Sequence, residues 1–147
     1  MQKRQLDSQA CFVCGKANLQ GLQLDFYEEE NRVQTIFQPR TEHQGWPGFV
    51  HAGIIMSILD ETIGRAAFLI DAWVMTGRLE VRFRSPAPID QSLTFVGTVV
   101  GDRGKAVELE GFAQLPDGSV VAEGRGLYMR VPDELREALE QQIAAGY

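Results

Sequence analysis

HAGIIMSILDETIGRAAFLI, residues 51–70, sets how the rest of the chain must be arranged. Its apolar residues recur at the helical period, so it reads as one helix of about twenty residues. At about 100° per residue, Ala52, Leu59, Ile63, Ala66 and Ile70 share one face, while Ile54 and Ile58 lie on another. A surface helix carries a single apolar stripe; a helix apolar on several sides is buried. Between these faces runs a narrow stripe of Gly53, Ser57, Asp60, Gly64 and Ala67. Nearly all of it is small, so a partner can approach closely, and Asp60 is its one ionisable group. The longer apolar runs elsewhere alternate as strands do. The simplest arrangement is a sheet wrapped around one central helix.

The chain has 147 residues, enough for one domain with a sizeable core. Its 44% apolar and 23% charged residues place it among ordinary globular proteins. A net charge of −6 argues against nucleic acid or an anionic membrane as partner. No apolar run suits a transmembrane span, since the central helix carries Asp60, Glu61 and Arg65. The opening MQKRQLDSQ lacks the apolar segment of a signal peptide, so a cytoplasmic location is expected.

Working outward from the helix, residues 1–10 read as a flexible leader and 11–147 as a single domain. CFVCG places Cys11 and Cys14 in a Cys-x-x-Cys pair. Such a pair is half a zinc site, a redox dithiol, or two buried structural thiols. A zinc site needs further ligands, and besides carboxylates the chain offers only His43 and His51. A redox dithiol should open a helix, whereas the turn-rich GKANLQG follows here. Structural thiols are the favoured reading. Leu22, Leu24 and Phe26 alternate as a half-buried strand, and the charged turn EEEN (28–31) joins it to a second strand, 32–37. TEHQGWPGFV (41–50) is a loop whose aromatics, Trp46 and Phe49, are suited to covering a pocket; His43 in it reads as a surface residue. After the helix come four strands, from Val74, 93–100, 105–115 and 120–131, separated by the turn signals SPAPID, GDRG and PDGS. Pro132 then opens a short amphipathic C-terminal helix. This order is α+β with an antiparallel sheet.

GWPGFVHAGIIMSILDETIGRA resembles the central-helix signature of hot-dog acyl-CoA thioesterases of the phenylacetate-pathway type. That signature carries a histidine at the helix start and an aspartate nine residues on, as His51 and Asp60 stand here. TGRLEVRFRSPAPIDQSLTFVGTVV is similar to the strand pair that follows it in the family, and CFVCGKANLQGLQLDFY to the opening of some members. The resemblance implies a hot-dog fold: a curved antiparallel sheet around one long central helix. It further implies an acyl-CoA substrate, a homodimer or homotetramer with the site between subunits, and no metal or organic cofactor. Thr76 falls where some members carry a hydroxyl that places water. Two positions depart from the pattern. Ala52 stands for the first glycine after the histidine, keeping its backbone N–H, and Gly45 stands where some members have an asparagine.

Thioester hydrolysis needs a base or nucleophile for the carbonyl carbon and donors for the oxyanion that develops. A helix N-terminus supplies free N–H groups and a positive dipole end, so the Ala52 and Gly53 amides are candidate donors. Asp60 is the candidate base or nucleophile; otherwise it is a helix carboxylate satisfied by a neighbour. Glu61 is the competing carboxylate, four residues before Arg65 and so placed to pair with it. His51 either orients the substrate carbonyl or caps the helix. It lies about 13 Å from Asp60 along the axis, too far for a dyad within one chain. The Thr76 hydroxyl either holds a water or serves only a strand's propensity. Arg78, Arg82 and Arg84 suit either coenzyme A phosphates or a solvated strand face, the latter favoured. Trp46, Phe49, Phe68 and Trp73 suit an aromatic acyl pocket or the ordinary core. The alternatives to a thioesterase are a non-catalytic acyl-CoA binding or sensing protein, and a hydratase or dehydratase on the same fold.

Overall fold

In a computed structural model describing residues 2–147, seven antiparallel strands form one sheet. In chain order the strands are β1 (Lys3–Arg4), β2 (Tyr27–Glu29), β3 (Arg32–Phe37), β4 (Val74–Phe83), β5 (Leu93–Asp102), β6 (Ala106–Gln114) and β7 (Val120–Arg130). Their order across the sheet is β1-β2-β3-β5-β6-β7-β4, with helix α1 (Ala52–Arg65) against β5, β6 and β7. This is the hot-dog arrangement, and the long strands lie where alternation predicts them.

The helix seats deeply because the sheet is hollowed beneath it. Gly97, Gly111 and Gly124 stand side by side on β5, β6 and β7. A Cβ at Gly97 would lie 2.5 Å from the Thr62 carbonyl oxygen, and one at Gly111 2.7 Å from the Ile63 side chain. Any side chain in this row would lift the helix off the sheet. Ile55, Ile58, Leu59, Thr62 and Ile63 fill the contact, all buried. The opposite side is open. Met56 is 40% and Ile70 37% exposed, and Ala52 is exposed too, so the ends of the expected apolar face do not reach the core.

The expected twenty-residue helix is shorter. After Arg65 it tightens into a 3-10 turn, Ala66–Ile70, which Asp71 ends in the left-handed region at φ 54°. The Ala72 and Asp71 amides donate back to the Ala67 and Phe68 carbonyls (3.0 and 3.1 Å), the paired bonds of a Schellman end.

The N-terminus differs more. Residues 3–4 pair with β2 as an edge strand, the Gln5 amide donates to the Phe26 carbonyl (2.8 Å), and Gln5 and Asp7 are buried. The described part of the expected leader is therefore structured. Arg65 anchors it: its guanidinium donates to the Leu6 carbonyl (2.9 Å) and lies over the Phe26 ring at 4.3 Å. Leu24 and Phe26 point inward as alternation predicts, but Leu22–Phe26 is not a ladder strand. Gln23 is left-handed at φ 54°, and Leu22 and Leu24 donate instead to the carbonyls of Phe12 and Val13 (2.8 and 2.9 Å). Helix α2 (Asp133–Ala144) follows Pro132 and docks through Arg136, which bonds the Asp71 carboxylate at 2.7 Å.

Candidate active site

Asp60 sits two and a half turns into α1, on the small-residue stripe. Two other elements reach it there. Thr76 on β4 and Tyr128 on β7 face each other in register. Both hydroxyls donate to the same carboxylate oxygen, Asp60 Oδ1, at 2.7 and 2.9 Å. Oδ2 takes no protein hydrogen bond among the described residues. A β-bulge between Thr76 and Arg78 breaks the ladder beside the first donor, as bulges do where a side chain is re-aimed. Tyr128 is 1% exposed, and its ring lies against Gly64, where a Cβ would stand 3.3 Å from it. Burial, followed by the negative charge of Asp60, raises the Tyr128 phenol above its ordinary value, so it remains a donor. The small stripe thus exists in part to admit this tyrosine. Sequence reasoning missed Tyr128. The one signal available was a glycine on the helix stripe, which announces a close neighbour without naming it.

These groups line a cleft of about 490 Å³, shared with Glu61, Cys11 and Trp73. Glu61 pairs with Arg65 Nε at 2.9 Å, as the four-residue spacing predicts. Cys11 and Cys14 are both free thiols; Cys14 is buried and donates its backbone N–H to Cys11 Sγ (3.5 Å). Interaction with the Cys14 thiol pulls the Cys11 thiol down to about 6, while the same thiol–thiol interaction, with burial, pushes Cys14 up. Phe68 and Trp73 meet edge to face, centroids 5.6 Å apart, on the wall of this cleft.

The start of α1 is built separately. His51 is the N-cap, and its Nδ1 accepts the Gly53 N–H at 2.8 Å. A neutral imidazole accepting at Nδ1 carries its proton on Nε2. Of the two expected amide donors, Gly53 is therefore committed to His51, whereas Ala52 N–H has no partner among the described residues. His51 and Ala52 border a second cleft of about 900 Å³ with Trp46, Phe49, Phe83 and Pro86. Trp46 is 83% exposed at its rim. His43 is not the surface residue expected. It is buried, packs against Phe37 with centroids 5.0 Å apart and the rings tilted by 56°, accepts the Arg40 N–H at Nδ1 (2.9 Å), and offers its carbonyl to the His51 N–H (2.8 Å). Burial, then nearby Arg40, lowers its pKa.

One chain therefore brings Asp60, Thr76 and Glu61 to one cleft and His51 and Ala52 to another. About 13 Å of helix axis separates the two ends. Of the strand arginines, Arg84 pairs with Glu123 and Arg78 lies 4.0 Å from Glu80, both on an exposed face. No helix is long and apolar enough to cross a membrane among the described residues.

Comparison with known proteins agrees with this architecture. An acyl-coenzyme A thioesterase of Xenopus laevis, THEM4, is 36% identical over 87 residues, covering 58% of this chain and 36% of that protein. The chain thus spans about a third of the length of this curated relative. The solved structure of a thioesterase superfamily protein, RHA08564, superposes with a TM-score of 0.78 at 25% identity, over 82% of this chain and 60% of that one. The Escherichia coli PaaI protein of the phenylacetic acid degradation operon shares the fold, with a TM-score of 0.71 at 18% identity over 81% of this chain and 84% of that one. The thioesterase superfamily model matches residues 47–122, from the loop before α1 into β7, and the chain belongs to that superfamily.

Proposed function

We propose that this protein is an acyl-CoA thioesterase with Asp60 as its base or nucleophile. The observation that carries the reading is the asymmetry of the Asp60 carboxylate. Thr76 and Tyr128 hold one oxygen, and the other is free on the wall of a cleft. A carboxylate fixed in this way presents its free oxygen in one orientation, which favours proton abstraction from water or direct attack on a carbonyl carbon. In the water route, Oδ2 takes a proton as the water oxygen bonds to the thioester carbon. The oxyanion formed is stabilised by the Ala52 N–H at the positive end of α1 and by His51 Nε2–H. Collapse breaks the carbon–sulfur bond, and the proton held on Asp60 Oδ2 passes to the departing sulfur of coenzyme A, which restores the carboxylate. Glu61, engaged by Arg65, supports the site without carrying the chemistry.

Donors and carboxylate lie at opposite ends of one helix, so the same reading places the site between two copies of the chain. Strand β4, which carries Thr76, is an edge strand with Met75 and Phe83 exposed, a surface suited to pairing with a second copy. A homodimer, alone or doubled into a homotetramer, is the assembly proposed, in the cytoplasm, where free thiols persist.

The test is thiol release from short, long and aromatic acyl-CoAs by wild type and Asp60→Asn. Turnover that falls by ~10² or more in the variant supports the assignment. Wild-type turnover that survives the substitution rejects Asp60, and binding without turnover on any acyl-CoA points to a sensing protein.

A further inference from the structure

We propose that Cys11, Cys14 and Glu61 form a binding site for one zinc-class divalent cation. The three side chains come from distant parts of the chain, yet their ligand atoms all lie within 4.8 Å of one another. The cysteines are presented by a tight turn rather than by a helix. Gly15 N–H donates to the Cys11 carbonyl (2.9 Å), and a Cβ at Gly15 would lie 2.3 Å from the Gln9 carbonyl oxygen. Inside this turn the Cys14 amide donates to Cys11 Sγ at 3.5 Å. A backbone amide aimed at the sulfur favours the thiolate, the form that binds a metal ion.

Glu61 is oriented as a ligand. Arg65 Nε holds Oε1 at 2.9 Å, while Oε2 points to Cys11 Sγ at 4.0 Å. Fixing one carboxylate oxygen so that the other meets the metal is the usual task of groups behind a ligand. The Cys11–Glu61 separation is close to that of two ligands on one ion. Zn–S of about 2.3 Å and Zn–O of about 2.0–2.2 Å at a tetrahedral angle set sulfur and oxygen about 3.5 Å apart, so the carboxylate must close by about half an ångström. The charges fit as well: two thiolates and a carboxylate are balanced by a divalent ion together with buried Arg65. Neither histidine takes part, since both line the other end of the helix. A fourth position falls to water from the cleft. The ion would join the Cys-x-x-Cys turn to α1 one residue from Asp60.

The test is titration of the reduced, metal-free full chain with cobalt(II), read by thiolate-to-cobalt charge-transfer absorption and by the visible d–d bands. The expected result is one cobalt per chain with the intense bands of a tetrahedral site, displaced by zinc(II). Cys11→Ser and Cys14→Ser should each diminish the charge-transfer band, and Glu61→Gln should keep it while weakening binding by about tenfold or more. The wild-type titration stands whether or not a serine variant folds: no charge-transfer absorption at one equivalent overturns the site. Bands that persist unchanged in folded serine variants overturn it too, and undiminished affinity in Glu61→Gln removes the carboxylate from it.

Discussion

Ala52→Pro separates catalysis from folding at the start of α1. Ala52 is the first helical residue, and its N–H has no partner among the described residues, so proline removes no protein hydrogen bond there. Proline is favoured at this position because its φ suits the first turn. The preceding residue must then be extended, and His51 already is, at φ −60° and ψ 133°. The folded state should accept the ring, and the restricted unfolded chain should leave the protein unchanged or up to ~1 kcal/mol more stable. Catalysis should move the other way. An oxyanion donor contributes roughly 10²–10³ in kcat, so thiol release should fall by about that factor. The assay pairs acyl-CoA turnover with thermal unfolding of the same preparation. A variant as stable as wild type and within about twofold of its kcat/KM would refute the Ala52 amide as a donor. A variant that unfolds would refute the geometry of the helix start.

Three further outcomes follow from the geometry. Tyr128→Phe deletes a donor to a carboxylate, an interaction of about 1.5–3 kcal/mol, so kcat/KM should fall roughly 10- to 150-fold; near wild-type turnover would show that Thr76 alone positions Asp60. Gly97→Ala forces a Cβ against the Thr62 carbonyl oxygen and should lower the melting temperature by about 3–10 °C, with no change marking a helix less closely seated than described. Buried His43 has a folded pKa below its ordinary 6.5, so the unfolded chain binds the proton more readily. Its contribution to stability is present above 6.5 and is lost as pH falls through and below that value. Denaturant midpoints measured across this range should drop with acid in wild type and drop less in His43→Gln.

Much of the architecture was legible in local patterns. Period-two alternation reveals β4 to β7, because β5, β6 and β7 turn one face to the core, and the edge strand β4 half-buries Leu79 and Val81 between exposed neighbours. The small stripe along α1 marks Asp60, since Gly53, Gly64 and Ala67 leave space around a single charge. The separation of His51 from Asp60 follows from helical rise alone, so the sequence itself argues against an intrachain dyad. The pairing of Glu61 with Arg65 was equally local.

What escaped were contacts whose partners lie far apart in the chain. Tyr128 meets Asp60 across 68 positions, and Cys11 meets Glu61 across 50. Lys3 and Arg4 carry no strand signal; they pair because β2 presents an open edge and Arg65 gathers the backbone beside it. His43 is polar and lies in a loop, yet it is buried because its ring nitrogen and carbonyl are both satisfied locally while its ring packs at a tilt against Phe37. Periodicity reports which side of an element is apolar, and so it yields the strands, the helix and the carboxylate. It carries no information about which distant side chain fills the space a glycine leaves, and that choice, made when the sheet closes over the helix, gives Asp60 its two donors and Glu61 its thiol neighbours.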